Sequence, residues 1–130
     1  MIDRLFVPMN KQPHDWVRNG LKRWELRLYR RQFTEQHVRV GRVVELRRGY
    51  SRTGCSVWGR IVAVQVAESI GEFYDAVPWQ GVIPWANDQF DAIEKTTEIL
   101  GDSLVFQRVI GFRFDRLVYC PVPAVASGSK

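Results

Sequence analysis

From Arg23 to Leu28 charged and apolar residues alternate without a break, with Arg23, Glu25 and Arg27 on one set and Trp24, Leu26 and Leu28 on the other. A period of two is the signature of an extended strand, so this segment is predicted to show one polar and one buried face. The polar face carries cation, anion and cation in succession. Such a row can hold a phosphate or a polar base edge, or it can be a solvated ion-pair ladder worth at most about 1 kcal/mol.

The rest of the chain supplies the other elements. Residues 4–7 read as a short strand stopped by Pro8, and a two-turn helix follows, opening near Pro13 and closing at Asn19 and Gly20. Residues 29–40 are too polar and irregular to assign beyond a loop or short helix. Strands are expected over residues 42–47 and 57–66, the second with Val62, Val64 and Val66 as its core face. A short helix over residues 69–76 and a longer one capped by Asp88 and stopped by Gly101 come next. In the longer helix Phe90, Ile93, Thr97 and Leu100 share one face. The final strand spans residues 104–114. Between the helices, residues 78–85 hold two prolines, a glycine and two tryptophans, and one of these tryptophans is expected to plug the core, as are Trp16 and Trp58. The pattern is α+β: a small mixed β-barrel with two to three flanking helices, occupying residues 1–118, with a proline-, alanine- and serine-rich disordered tail over 119–130.

Composition narrows the function classes. With 45% hydrophobic and 12% aromatic residues the chain is not a disordered protein. No apolar run reaches the roughly 18 residues of a membrane span, and no signal-peptide core is visible, so no membrane partner is expected. Cys55 and Cys120 lack metal-binding spacing, and His14 and His37 are isolated, which points to reduced thiols in a cytoplasmic protein with no metal and no cofactor. Charge is unevenly divided. Residues 1–60 hold 14 Lys and Arg against five Asp and Glu, a balance of +9, whereas residues 61–130 hold five against nine, a balance of −4. The basic half is rich in arginine, whose planar fork matches phosphate and stacks on bases, so RNA or a nucleotide-like ligand is the expected partner.

The string Gly20, Lys22, Glu25, Arg27, spaced G-x-K-x-x-E-x-R, resembles the signature of the ASCH domain, a small β-barrel related to the PUA domains. The likeness extends more loosely over residues 4–115. It departs from the family at Arg23, where a small hydroxylated residue is frequent, and at Arg42, where many members carry Asp after glycine. What the resemblance implies is a barrel with a ligand cleft at the motif. One branch that it resembles hydrolyses acetylated cytidine with the motif lysine, a threonine and a downstream glutamate, and another looks like a ribonuclease. Here Glu25 takes the threonine's place, while Glu72 or Asp75 would be the downstream carboxylate.

Two groups of candidate residues result. Lys22, Glu25 and Arg27 would line the cleft floor. Lys22 can hold a phosphate or, once desolvated, lose its proton and act as a base. Glu25 can accept from a base amino group, and Arg27 can clamp a phosphate or orient Glu25. Arg48, Tyr50 and Arg52 would form a rim that grips phosphate and stacks a base. If the protein is an enzyme, Lys22 and Glu25 are the catalytic candidates. The expected function is RNA or nucleotide binding through a basic cleft. The alternative is a small hydrolase acting on a modified, acylated nucleoside, or a ribonuclease.

Overall fold

The computed structural model describes residues 3–49, 56–101 and 107–117. The elements run β1 (Arg4–Met9), α1 (Lys11–Arg18), β2 (Trp24–Leu28), β3 (Val43–Arg48), β4 (Ser56–Ala67), α2 (Ile70–Ala76), a 3-10 turn (Trp79–Gly81), α3 (Gln89–Leu100) and β5 (Val109–Arg116). One five-stranded sheet has the order β1-β3-β4-β5-β2. Only β1 and β3 are parallel, and the other three pairings are antiparallel. This is the expected α+β architecture, a half-barrel with three helices.

β1 and β2 lie at opposite ends of the strand order, yet Arg27 Nη2 of β2 donates to the Pro8 carbonyl of β1 at 2.6 Å. The sheet therefore curls until its two edges meet through a side chain. Two further carbonyls of β1 are engaged the same way: Phe6 accepts from Gln32 Nε2 at 2.9 Å and Arg4 from Arg42 Nη2 at 3.3 Å. β1 also runs through Pro8, which the sequence reading takes as its stop. In an edge strand the N–H and C=O of one residue point the same way, so the donor that proline lacks would have faced the unpaired side.

Two apolar clusters result. The inner one gathers Leu5, Val7, Val44, Leu46, Ile61, Ile110 and Phe112 inside the curl. The outer one puts Leu26 and Leu28 of β2 against Ile70, Phe73 and Tyr74 of α2 and Ala92 of α3. In β4 the register shifts between Ile61 and Ala63. This bulge lets Ile61 join the core while Val64 and Val66 pack against it, leaving Val62 half-buried at the irregularity, so the three valines do not form one core face. In α3 the buried positions are Ala92 and Thr96, and Phe90 is 72% exposed. The packed face lies rotated from the one the large apolar residues mark. No helix forms in residues 29–40, although Val38 is buried in the inner core. Among the described residues no helix is long and apolar enough to cross a membrane. Residues 119–130 and both cysteines lie outside the described residues.

α1 is fastened by His14, fully buried, whose Nε2 lies 2.9 Å from the Leu46 carbonyl. That bond requires the proton on Nε2 and leaves buried Nδ1 without a partner. Burial lowers the imidazole pKa below 6.5, the Leu46 carbonyl opposes the shift, Arg18 and Arg48 add to it and Asp15 opposes it. The unfolded chain thus takes up a proton at a pH where folded His14 stays neutral. Its contribution to stability is complete above about pH 6.5 and declines as pH falls through that value. Urea unfolding from pH 8 to 5 is expected to show a shallower acid decline for His14→Gln than for the parent. Parallel declines would remove this role.

Candidate functional site

Helix α1 ends in a left-handed residue, Gly20 at φ +79°. Gly20 N–H donates to the Val17 carbonyl at 3.1 Å and Leu21 N–H to that of Trp16 at 2.9 Å, the paired bonds of a Schellman cap. Lys22 N–H also donates to Trp16, at 3.2 Å. A residue with a Cβ would strain this reversal, and the reversal is what brings Lys22 back beside the helix end. Arg23 N–H then donates to the Gly81 carbonyl at 2.7 Å, pinning the start of β2 to the turn between α2 and α3.

The three motif side chains converge. Lys22 Nζ donates to the Val82 carbonyl at 2.6 Å and lies 3.4 Å from Glu25 Oε1. Arg27 Nε donates to Glu25 Oε2 at 2.6 Å. Lys22 is 7% and Glu25 6% exposed, so this is a buried triad and not the solvated ladder. Desolvation lowers the Lys22 pKa, with Arg27 adding to the effect and the Glu25 charge opposing it. Burial pushes Glu25 up, but the charges of Arg27 and Lys22 and their hydrogen bonds outweigh it, holding the carboxyl below its ordinary range. Glu25 is therefore an anion at neutral pH, secured chiefly by Arg27.

The triad floors a cleft of about 470 Å³. Its walls are mostly apolar, including Met9, Pro13, Trp16, Ile83 and Ile99, with Asn10 and Thr96 as further polar groups. Thr96 Oγ1 and the Tyr74 hydroxyl are 2.8 Å apart, and burial pushes the tyrosine pKa up to about 12, so the phenol stays protonated. An apolar cleft with a few convergent polar groups is the usual form of a small-ligand site.

Of the rim residues, Arg48 is exposed at the end of β3, paired in register with Met9 and followed by Gly49, both of which line the cleft. Tyr50 and Arg52 lie outside the described residues. Glu72 and Asp75 do not line the cleft. Glu72 takes part in the N-terminal cap of α2, and Asp75 accepts from Gln89 Nε2 at 2.9 Å. Trp16 is half-buried in the cleft wall, its ring 5.9 Å from that of Trp85, so it is not the core plug expected of it. Trp85 is 44% exposed and lies 4.9 Å from Lys95 Nζ, while Trp79 packs on the outer core. Asn10, Thr96 and the Val82 carbonyl carry no signal in the sequence. The three come from separate elements, and only the folded chain brings them together.

No protein-family model matches the chain, and no curated protein does. Among solved structures it is similar to the hypothetical protein PH0355, with a TM-score of 0.71 and 12% identity over 88% of this chain and 100% of that one. It is also similar to protein PF0455 from Pyrococcus furiosus, solved in solution, with a TM-score of 0.62 and 16% identity over 90% of this chain and 100% of that one. At these identities the likeness is one of fold.

Proposed function

We propose that the protein is an ASCH-like, cytoplasmic binding domain whose cleft takes RNA or a nucleotide-like ligand over Lys22, Glu25 and Arg27. The observation that carries this reading is a buried, charged triad at the floor of an apolar cleft. A flat heterocycle would cover Trp16 and Ile83, while its edge meets the acceptor on Glu25 and the donors on Lys22 and Arg27. The same groups suit a base better than a lipid or a peptide chain, because they present donors and an acceptor side by side. Membership of the ASCH family rests on the spacing of Gly20, Lys22, Glu25 and Arg27, and the curled sheet supports it.

A titration of single-stranded RNA by fluorescence anisotropy over a salt series tests the reading. The logarithm of the affinity is expected to fall linearly with the logarithm of salt, with a slope of about −0.7 for each phosphate contacted. A flat series together with no binding of free nucleosides or nucleotides removes it. A second reading, hydrolysis of an acylated nucleoside, is favoured by the placement of Lys22 in the cleft lining, its Nζ 3.4 Å from Glu25 Oε1 and buried. In that reading Nζ first gives up its proton, then takes one from water as the water oxygen attacks the acyl carbon and returns it to the departing amine as the C–N bond breaks, releasing a carboxylic acid. Following the same titrations with acylated nucleosides for product release decides it, and absence of turnover leaves the binding reading alone.

A further inference from the structure

A second cleft, of about 570 Å³, opens beside the first and shares Pro8, Arg27 and Leu100 with it. Its remaining lining includes Arg30, Arg31, Gln32 and Phe33 and contains no acidic residue. The two clefts therefore differ in electrical character. In the first, Glu25 sits between two cations. The second is lined by three arginines and by no acidic residue, although Arg27 also pairs with Glu25.

The turn that carries these arginines is held in place. Phe33 N–H donates to the Arg30 carbonyl at 2.9 Å, and Gln32 Nε2 ties the turn to β1 through the Phe6 carbonyl. Arg31 has φ +57°, the left-handed region that a residue with a side chain enters only under constraint. Arg30 and Arg31 are exposed and form no ion pair or side-chain hydrogen bond among the described residues. Arg27, stacked over the Phe33 ring at 5.0 Å, uses Nε on Glu25 and Nη2 on Pro8, which leaves Nη1 without a hydrogen bond of its own among the described residues, and Arg27 lines both clefts.

We infer that the second cleft is a phosphate subsite, in which Arg27, Arg30 and Arg31 hold the phosphate of a ligand whose base lies in the first cleft. This rests on the base-binding reading above and extends it from a nucleoside to a nucleotide. Arg27 then serves both ends, fixing Glu25 for the base and offering Nη1 to the phosphate. The planar fork of arginine suits a phosphate oxygen cluster, and Arg30 and Arg31 have no carboxylate partner among the described residues, while Arg27 keeps its pair with Glu25. A terminal phosphate on a free nucleotide and an internal one in an RNA strand are two sources of this chemistry. Both present the same anionic oxygens.

Calorimetric titration of the full chain with the four ribonucleosides, their 5′-monophosphates and short single-stranded RNA tests the assignment. The monophosphates are expected to bind at least about tenfold more tightly than the nucleosides. In the double variant Arg30→Gln with Arg31→Gln that advantage is lost, nucleoside affinity is unchanged and the melting temperature is retained. A free nucleotide as the natural ligand gives the tightest binding with monophosphate, and an RNA strand gives it with the oligonucleotide. Each outcome supports the subsite when the double variant reverses it. Equal affinity for nucleoside and nucleotide overturns the subsite and leaves base binding intact. No binding by any of the three overturns both.

Discussion

Glu25→Ala is expected to destabilise the fold by about 3–5 kcal/mol, the usual effect of removing one partner from a buried ion pair. The alanine chain would keep Lys22 almost wholly buried beside the partly buried guanidinium of Arg27, with the intervening anion gone. Lys22 then loses its charge more readily, which limits the damage, and Arg27 loses the carboxylate that aligns it with Pro8. Glu25→Gln separates shape from charge: it fills the same space and retains an acceptor, so a smaller loss is expected. Urea unfolding of the three proteins measures both effects. A loss below about 1 kcal/mol for Glu25→Ala would mean that the triad behaves as a solvated surface pair.

The second large effect is expected at Gly111. This residue stands opposite Leu26 in the β2–β5 pairing, and a Cβ built there would overlap Cε1 and Cζ of Phe73. Phe73 has no room to yield. It is fully buried, edge-on to Trp24 with centroids 6.0 Å apart and to Tyr74 at 5.4 Å. Gly111→Ala is therefore expected to cost about 1–3 kcal/mol through overpacking. Shortening the ring relieves the overlap, so Gly111→Ala combined with Phe73→Leu should be less destabilised than the sum of the two single changes. Additive losses in that double-mutant cycle would sink the steric account.

Gly111 illustrates what a linear reading can and cannot reach. Flanked by Ile110 and Phe112 it marks a strand position, but the ring that requires it lies 38 positions away, on α2. Elements whose evidence is local were legible. The alternation of residues 23–28, the Asp88 cap with its bond from Asp91 N–H, and the glycine stop after α1 all appear in the fold. Elements whose evidence is tertiary were not. The bulge in β4 is set by pairing with β5, so the period of two carried no trace of it. Of the face predicted for α3, Ile93 and Leu100 pack on the outer core, but Phe90 is exposed and small Ala92 is the buried apolar residue, so hydrophobicity alone misplaces the centre of the packed face.

The candidate site divides along the same line. Lys22, Glu25 and Arg27 could be selected as a group because one turn and one strand deliver all three. Their burial could not, since it depends on the Val82 carbonyl and on β1 closing over Arg27. Arg30 and Arg31 stood in plain view as charge. Their shared cleft with Arg27 exists only because the turn from residue 29 to 33 folds back toward β1.

The way β1 is finished has a consequence for encounters between molecules. A bare sheet edge invites a foreign strand, and crowded chains coalesce through such edges. Here a newcomer would find the carbonyls of Arg4, Phe6 and Pro8 already occupied, and at Pro8 no amide hydrogen to offer. To add itself it would have to evict three side chains, one of which anchors Glu25. Protection of the sheet edge and the integrity of the cleft are thus vested in the same guanidinium, so a change at Arg27 would open both at once.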